Sequence, residues 1–254
     1  MYLLALKQGR SHALNFAVSY SNADYVGFVD DDEKLDIAWF EVSLEHMRTG
    51  QLDYIGGPCK PDWESPAPAW LPVHVGKYKG VLGWIEQSDY AQPFDDFGGG
   101  LCGGNCILRR TALLNAGGFS TSIGRSAGNL MGGEDDELQR KLRLLKYKGM
   151  YEPKLIIYHF VPTARMTRRY HLSWAFWSGA SNGVRLKWLP PEPVPMLFGL
   201  PRYRFGQAAI GFSLHMRFLL SRAKHAKAIS FSGLLDAVYL AGTIYGHYCI
   251  SEKT

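Results

Sequence analysis

Cysteine is scarce in this chain. Its 254 residues include four cysteines, and none of them form a C-x-x-C pair, which argues against a zinc site of the usual spacing. We expect a cytosolic chain in which all four cysteines are reduced thiols. They are Cys59, Cys102, Cys106 and Cys249.

The chain also lacks a recognisable secretory signal, internal repeats and low-complexity tracts. The apolar stretch at residues 1–6 is shorter than the apolar core of a signal peptide. It is more typical of a buried strand, and we predict a strand there.

The composition excludes few classes of protein. A hydrophobic fraction of 46% and a charged fraction of 20% are ordinary for a globular protein. The length allows one domain, or one domain with a helical appendage. The net charge of +5 suits a nucleotide diphosphate, an anionic membrane surface or nucleic acid, and does not discriminate among them.

The first 160 residues alternate between helical and strand patterns, which predicts an α/β fold. The short apolar run at 25–29 is typical of a buried parallel strand. Residues 61–99 form a long loop rich in Trp, Pro, Gly and Asp. The predicted helices lie at 11–22, 35–50 and 132–149, a short helix and turn at 111–119, and further strands at 52–59, 101–109 and 154–160.

The remaining residues have a different character. Residues 165–188 are basic and aromatic, residues 190–201 are rich in proline, and two helices are predicted at 206–228 and 230–250. The second helix contains Asp236 and His247, which makes it a poor membrane span. It fits an in-plane amphipathic anchor or a helix packed on the domain, and the sequence leaves both readings open.

Three adjacent carboxylates, Asp30, Asp31 and Asp32, end the strand at 25–29. In α/β sheets, ligands bind at the carboxyl ends of strands. A divalent cation would offset the mutual repulsion of these acids. Asp30 and Asp32 would project to the same side of an extended segment, although a solvated loop that caps the next helix fits equally well.

Two further motifs carry acid–base chemistry. Residues 132–138 place Glu134, Asp135 and Asp136 in the first turn of a helix, where acids also stabilise the helix end. His159 follows an apolar strand and is either a core histidine or a ligand that completes a metal site begun by carboxylates. Taken singly, each motif is weak.

The order of these motifs resembles family 2 glycosyltransferases of the GT-A fold, over roughly residues 1–180. Phe28–Asp32 is similar to the family's run into its DxD motif, and Gly133–Leu138 to its ED motif and catalytic helix. Further similar segments are Gly9–Asn15, Ala23–Tyr25, Gly104-Asn105, Arg109-Arg110, Gly117–Phe119, Tyr151–Pro153 and His159.

The resemblance implies a role for each matched residue. It implies that Asp30, Asp32 and His159 hold Mg²⁺ or Mn²⁺ against the diphosphate of the donor. It implies that Asp135 is the catalytic base with Glu134 beside it, Asp136 being the alternative base. The other implied contacts are Asp31, Arg10 and Asn15 to the donor, and Gly104, Asn105, Trp70 and Asp136 to the acceptor or sugar.

The implied activity is inverting transfer of a sugar from a nucleotide-diphospho-sugar to a glycan or lipid-linked acceptor, in cell-surface polysaccharide or glycan biosynthesis. The implied location is the cytoplasm, at the inner face of the membrane, with peripheral contact through the C-terminal helices. No motif for nucleic acid is present, and we expect no nucleic-acid partner.

One departure from the family concerns the start of the chain. The family's first βαβ segment, which grips the base and ribose of the nucleotide, has no counterpart before residue 9. We therefore expect an N-terminally truncated GT-A mixed sheet flanked by helices, at residues 1–164, followed by a helical appendage at 165–254. The alternative function is a non-catalytic fragment that serves as a binding or scaffold module.

Overall fold

A computed structural model describes residues 3–94, 100–121, 130–188 and 194–250. These residues form two compact units. The first takes the described residues within Met1–Asp62, Gly83–Ala127 and Gly133–Phe160. The second takes those within Trp63–Leu82, Gly128–Gly132 and Val161–Thr254, so it includes part of the loop predicted at 61–99. The division predicted near residue 164 stays a prediction.

Helices and strands alternate in the first unit, and helices dominate the second. The helices are α1 (Arg10–Tyr20), α2 (Trp39–Thr49), α3 (Arg110–Asn115), α4 (Glu134–Leu144), α5 (Arg168–Trp188), α6 (Arg202–Phe218) and α7 (Lys224–Tyr248). The strands are β1 (Tyr25–Phe28), β2 (Glu33–Leu35), β3 (Tyr54–Gly56), β4 (Cys59–Trp63), β5 (Gln92–Pro93), β6 (Cys106–Arg109), β7 (Gly149–Tyr151), β8 (Ile157–Val161), β9 (Met196–Leu197) and β10 (Leu200–Pro201).

A five-stranded mixed sheet in the order β1-β6-β3-β7-β5 organises the first unit. The pair β3–β7 is parallel, while β1–β6, β3–β6 and β5–β7 are antiparallel. The prediction of a parallel strand at 25–29 is therefore wrong. β1 is apolar because both faces of the sheet are covered. A continuous apolar run predicts this burial, but it does not show whether the strand pairs in a parallel or an antiparallel direction.

The alternation of side chains along the strands builds two cores. On β6, Cys106 and Leu108 join Leu138 and Leu142 of α4 in one core, together with residues of α1 and α3. Ile107 points the other way and packs in a second core that contains Trp39 and Val42 of α2. Because successive side chains of a strand point to opposite faces, the sheet packs against helices on both faces. This is the helix-flanked α/β arrangement predicted from the sequence.

A second, three-stranded sheet in the order β2-β8-β4 pairs Glu33 with His159. β2 was not predicted, because three residues are too few to show an alternating pattern. Its pairing with β8 brings the residues that follow β1 beside the strand that carries His159.

Several predicted elements differ from the observed ones. Residues 3–6 of the predicted first strand pair with no strand among the described residues, and residues 1–2 lie outside them. The strand predicted at 101–109 begins only at Cys106, because residues 102–105 turn and the Asn105 N–H donates to the Cys102 carbonyl at 2.9 Å. α5 was missed because its basic and aromatic residues show no clear helical period.

Reciprocal glycine contacts join the helices of the second unit. A Cβ added at Gly242 or Gly246 of α7 would overlap the backbone of α5, and one at Gly179 or Gly183 of α5 would overlap the backbone of α7. Small residues at a helix interface let two backbones approach closely. The two predicted C-terminal helices are present, although the break between them lies at residues 219–223 and not at 229, and α5 is a third member of the group.

Within the described part of the chain, α7 is long and apolar enough by length and composition to cross a membrane, and 44% of its most apolar stretch is buried in the fold. A packed helix of a soluble domain meets the same criterion. The contacts of α7 with α5 and α6 contribute to this buried share.

We expect Gly242→Ala to lower the free energy of unfolding by about 1–3 kcal/mol, because its methyl group would overlap the carbonyl group of Phe176. Gly206→Ala on α6 is the matched control, since nothing lies within 4 Å of its added Cβ. The control should be neutral or stabilising by up to about 1 kcal/mol. Urea unfolding measures both, and equal stabilities would contradict the close helix packing.

Candidate functional site

The three aspartates lie in a tight turn and do not continue the strand in extended form. The Glu33 N–H donates to the Asp30 carbonyl at 3.2 Å, and the Asp30 N–H donates to Oε2 of Glu33 at 2.8 Å. Asp31 at the tip is exposed. The expectation that Asp30 and Asp32 share one side of an extended segment is therefore wrong, because the turn directs them to different partners.

Arg10, the first residue of α1, joins this turn to the start of α4. Its Nε and Nη2 donate to Oδ1 of Asp30 at 3.2 and 3.1 Å. Its Nη1 donates to Oε1 of Glu134 and to Oδ1 of Asp135, both at 3.2 Å. The planar guanidinium group suits this arrangement, since its donors diverge in a fixed fork. Arg10 thus binds the two predicted motifs into one cluster.

The acidic turn of α4 begins after Gly133, whose φ of 108° favours glycine. The free N–H groups and the dipole of the helix stabilise carboxylates at this end. Glu134 is buried, while the side chain of Asp135 keeps 25% of its surface exposed. The pKa of Asp135 is raised to about 7, because burial raises it most and the charges of Glu134 and Asp136 add to that rise, while Arg10 partly offsets them.

Asp32 lies beside His159. Oδ2 of Asp32 and Nε2 of His159 are 3.5 Å apart, and the Phe160 N–H donates to the Asp32 carbonyl at 2.8 Å. Carboxylate oxygen and imidazole nitrogen are donors that Mn²⁺ accepts, and Mg²⁺ takes the carboxylate. Asp32 and His159 therefore offer two donors suited to a divalent cation, whereas Oδ1 of Asp30 is bound by Arg10, and a metal site of all three residues stays a prediction.

Gly83 makes room for the His159 ring. With φ near 70°, a Cβ at this position would lie 2.7 Å from Nδ1 of His159. The sequence analysis missed Gly83, because a single glycine in a long aromatic loop carries no motif. Its role is visible only in the contact with the ring.

Three glycines lie against the acidic side chains. A Cβ added at Gly103 would overlap the Asp135 carboxylate, and one at Gly104 would overlap the Glu33 carboxylate. A Cβ at Gly100 would lie 3.0 Å from Oδ1 of Asp136. The resemblance named Gly104 and Asp136, and the structure adds Gly103 and Glu33. Burial raises the pKa of Glu33 to about 8.

The two predicted asparagines hold backbone in place. Asn15 exchanges two hydrogen bonds with the backbone of Phe119, at 2.8 and 2.9 Å. Asn105 is fully buried, accepts from Nε1 of Trp39 at 2.9 Å and donates to the carbonyls of Pro58 and Leu155. The prediction of direct sugar contact by Asn105 is therefore wrong, because its amide group is buried and bonded within the fold. The amide group of Asn15 likewise bonds the backbone of the fold.

Trp70 belongs to the second unit, whereas the other predicted site residues belong to the first. Its ring meets His171 and Phe231 edge to face at 5.6 and 5.1 Å, and the Arg168 guanidinium lies 5.6 Å from its ring centroid. These contacts make Trp70 part of the packing of that unit. Its role in binding a sugar stays a prediction.

Residues 2–117 match the family model described as Glycosyl transferase family 2. This stretch of the chain is therefore similar to the family that the sequence predicted. The match includes Arg10 and the three aspartates and ends before the acidic turn of α4. Arg10 therefore ties the matched segment to residues of α4 that lie beyond it.

The comparisons with individual proteins give weaker likenesses. The chain is 26% identical over 174 residues to the succinoglycan biosynthesis protein ExoM of Rhizobium meliloti (strain 1021), covering 68% of this chain and 52% of ExoM. The chain thus spans about half the length of this relative. A crystal structure of GalNAc-T7 with UDP, GalNAc and Mn2+ gives a TM-score of 0.44 at 12% identity, covering 72% of this chain and 38% of that one. That score is too low to support a fold assignment.

We expect Gly83→Ala to destabilise the chain more than Gly50→Ala. Both glycines have positive φ, near 70° and 63°, so each alanine pays the cost of a left-handed backbone, about 1–2 kcal/mol. At Gly83 the methyl group must also displace the His159 ring, which adds about 1 kcal/mol or more, whereas nothing lies within 4 Å of a Cβ at Gly50. Urea unfolding measures both variants, and an equal loss of unfolding free energy in the two would contradict the close contact between Gly83 and the His159 ring.

Proposed function

We propose that this chain belongs to an inverting glycosyltransferase, which moves a sugar from a nucleotide-diphospho-sugar to an acceptor hydroxyl in cell-surface polysaccharide or glycan biosynthesis. The family match supports the class of reaction. The contacts of Arg10 carry the proposal, because they unite the DxD turn and the acidic start of α4 across more than 120 residues of sequence.

Asp135 serves as the general base of this proposal. Its carboxylate is partly exposed, and its pKa of about 7 lets it accept a proton near neutral pH. Arg10 holds Oδ1, and Gly103 lets the backbone pass close beside the carboxylate. A hydroxyl deprotonated by one base attacks the sugar from the face opposite the leaving group, which inverts the anomeric carbon.

The leaving diphosphate meets the turn at Asp30–Glu33. Asp30, Asp32 and His159 would hold Mg²⁺ or Mn²⁺, which would offset the charge that develops on the diphosphate. Asp31 at the exposed tip of the turn lies open to the donor. Arg10 acts as a positioning residue here, because its guanidinium already binds three carboxylates.

The acceptor side of the site is formed by backbone rather than by bulky side chains. Gly100, Gly103 and Gly104 lie so close to the carboxylates of Asp136, Asp135 and Glu33 that a Cβ at any of them would crowd or overlap a carboxylate. Asp136, exposed at the start of α4, is the side chain that we assign to binding an acceptor hydroxyl. A glycan or lipid-linked acceptor fits this role.

A location in the cytoplasm, at the inner face of the membrane, completes the proposal. The second unit supports peripheral contact, because α6 exposes large apolar side chains at Ile210, Phe212 and Met216. Basic residues such as Arg217 and Lys224 accompany them, a combination that favours anionic membrane surfaces.

Calorimetry with UDP, GDP and dTDP, each with and without Mn²⁺, tests the donor site. We expect one nucleotide to bind in a Mn²⁺-dependent manner, and Asp32→Ala to weaken that binding at least about tenfold. Asp24→Ala, which removes an exposed carboxylate from the same unit, should bind like the unaltered chain. Unchanged affinity in Asp32→Ala would leave the turn with a purely structural role. Absence of binding to every nucleotide would favour the non-catalytic alternative.

The base is tested by following nucleotide release from the sugar donor that calorimetry identifies. We expect Asp135→Asn to slow transfer by about 100- to 10,000-fold while nucleotide binding persists. The unaltered enzyme should lose activity as the pH falls through about 7, because Asp135 then becomes protonated and cannot accept the proton of the acceptor.

Glu137→Gln is the control for Asp135→Asn. Glu137 lies in the same helical turn but pairs with Lys141 at 2.9 Å, so its loss should leave transfer and its pH dependence unchanged. Turnover retained in Asp135→Asn would move the base to Asp136 or elsewhere.

A further inference from the structure

Two cysteines and a glutamate meet behind the aspartate turn. One ligand atom from each of Cys59, Cys102 and Glu33 lies within 4.8 Å of the other two. We propose that these three side chains form a binding site for a thiophilic divalent cation such as Zn²⁺, separate from the site formed by Asp30, Asp32 and His159.

The spacing of the three donors suits tetrahedral zinc. Zinc–sulfur and zinc–oxygen bonds of about 2.0–2.3 Å place the ligand atoms of a tetrahedral site roughly 3.5–3.8 Å apart. The observed limit of 4.8 Å requires only small side-chain adjustments to reach this geometry. Three protein ligands leave a fourth position for water or another ligand, as in open zinc sites.

The backbone around each ligand is well held. The Cys59 N–H donates to the Ile85 carbonyl, and the Ile85 N–H donates back to the Cys59 carbonyl, both at 2.9 Å. The Cys102 carbonyl accepts the Asn105 N–H, and Glu33 lies on β2, paired with β8. The ligands therefore come from three segments that the fold already fixes, so binding requires little ordering of the chain.

The surroundings favour a soft cation over a hard one. Cys59 is almost completely buried, and both thiols lie among the apolar side chains of the second core, including Trp39 and Leu155. Thiolate sulfur selects zinc over Mg²⁺ and Mn²⁺, which prefer oxygen donors. The two cation sites would thus differ in their metal as well as in their residues.

The proposed site contacts the aspartate turn through Glu33. The same carboxylate accepts the Asp30 N–H at 2.8 Å, so a cation bound to Glu33 would act on the turn that ends β1. The inference itself rests on the position of Cys59, Cys102 and Glu33 and does not require the chain to be a transferase.

The test is a titration of the full chain with Co²⁺ under a phosphine reductant, followed by absorption spectroscopy. We expect a thiolate-to-cobalt charge-transfer band that saturates at one Co²⁺ per chain and disappears on addition of Zn²⁺. Co²⁺ bound by the oxygen and nitrogen donors of Asp30, Asp32 and His159 gives no such band.

Cys59→Ser and Cys102→Ser should each weaken the thiolate-bound cobalt by at least about 10- to 100-fold. Cys249→Ser, at an exposed thiol, is the matched control and should keep the band. Cys102 is only partly buried, so its variant reports on the site even where Cys59→Ser fails to fold. Glu33→Gln should keep the band but bind Co²⁺ at least about tenfold more weakly.

Three results would overturn the proposal. They are the absence of a thiolate band in the unaltered chain, a band of full strength in both cysteine variants, and a Co²⁺ affinity in Glu33→Gln equal to that of the unaltered chain. The last would reduce the site to a pair of thiols. Because the readout is a spectrum of bound metal, none of these results bears on whether sugar transfer occurs.

Discussion

One guanidinium group among several carboxylates is the constraint on which the first unit depends. Arg10 contacts Asp30, Glu134 and Asp135, and Asp32 and Glu33 lie in the same turn as Asp30. Carboxylates this close repel one another in a partly buried setting, and burial alone already favours their protonated forms. The positive charge of Arg10 offsets that cost, and its hydrogen bonds orient Asp30, Glu134 and Asp135. A lysine would supply the charge without the fork that reaches three carboxylates.

The chemical motifs were predictable because their signals are local. An apolar run that ends in acids marks a strand end, and acids after two glycines mark a helix start. The identity of Asp30, Asp32, Glu134 and Asp135 as a candidate site followed from the order of these motifs. Their meeting through Arg10 did not, because a contact across more than 120 residues leaves no trace in local spacing.

The errors have physical causes that residue type cannot reveal. Asn105 was assigned to sugar binding because Gly104-Asn105 resembles a segment of the family, yet its burial and three hydrogen bonds commit it to the frame around Pro58 and Leu155. β1 was taken for a parallel strand because it is apolar, although helices on both faces of an antiparallel pair have the same effect. The proximity of Cys59 and Cys102 was not predictable, because the two residues are distant in sequence and only the fold brings them together.

The glycine contacts between α5 and α7 have a consequence for how this chain can change in length. Each residue in a helix advances the next by about 100°. One residue inserted between Gly242 and Gly246 would therefore turn one of these glycines away from the α5 backbone and bring a bulkier residue to the contact. Insertions of this kind are incompatible with the interface, whereas extra residues beyond either end of α7 leave its register intact.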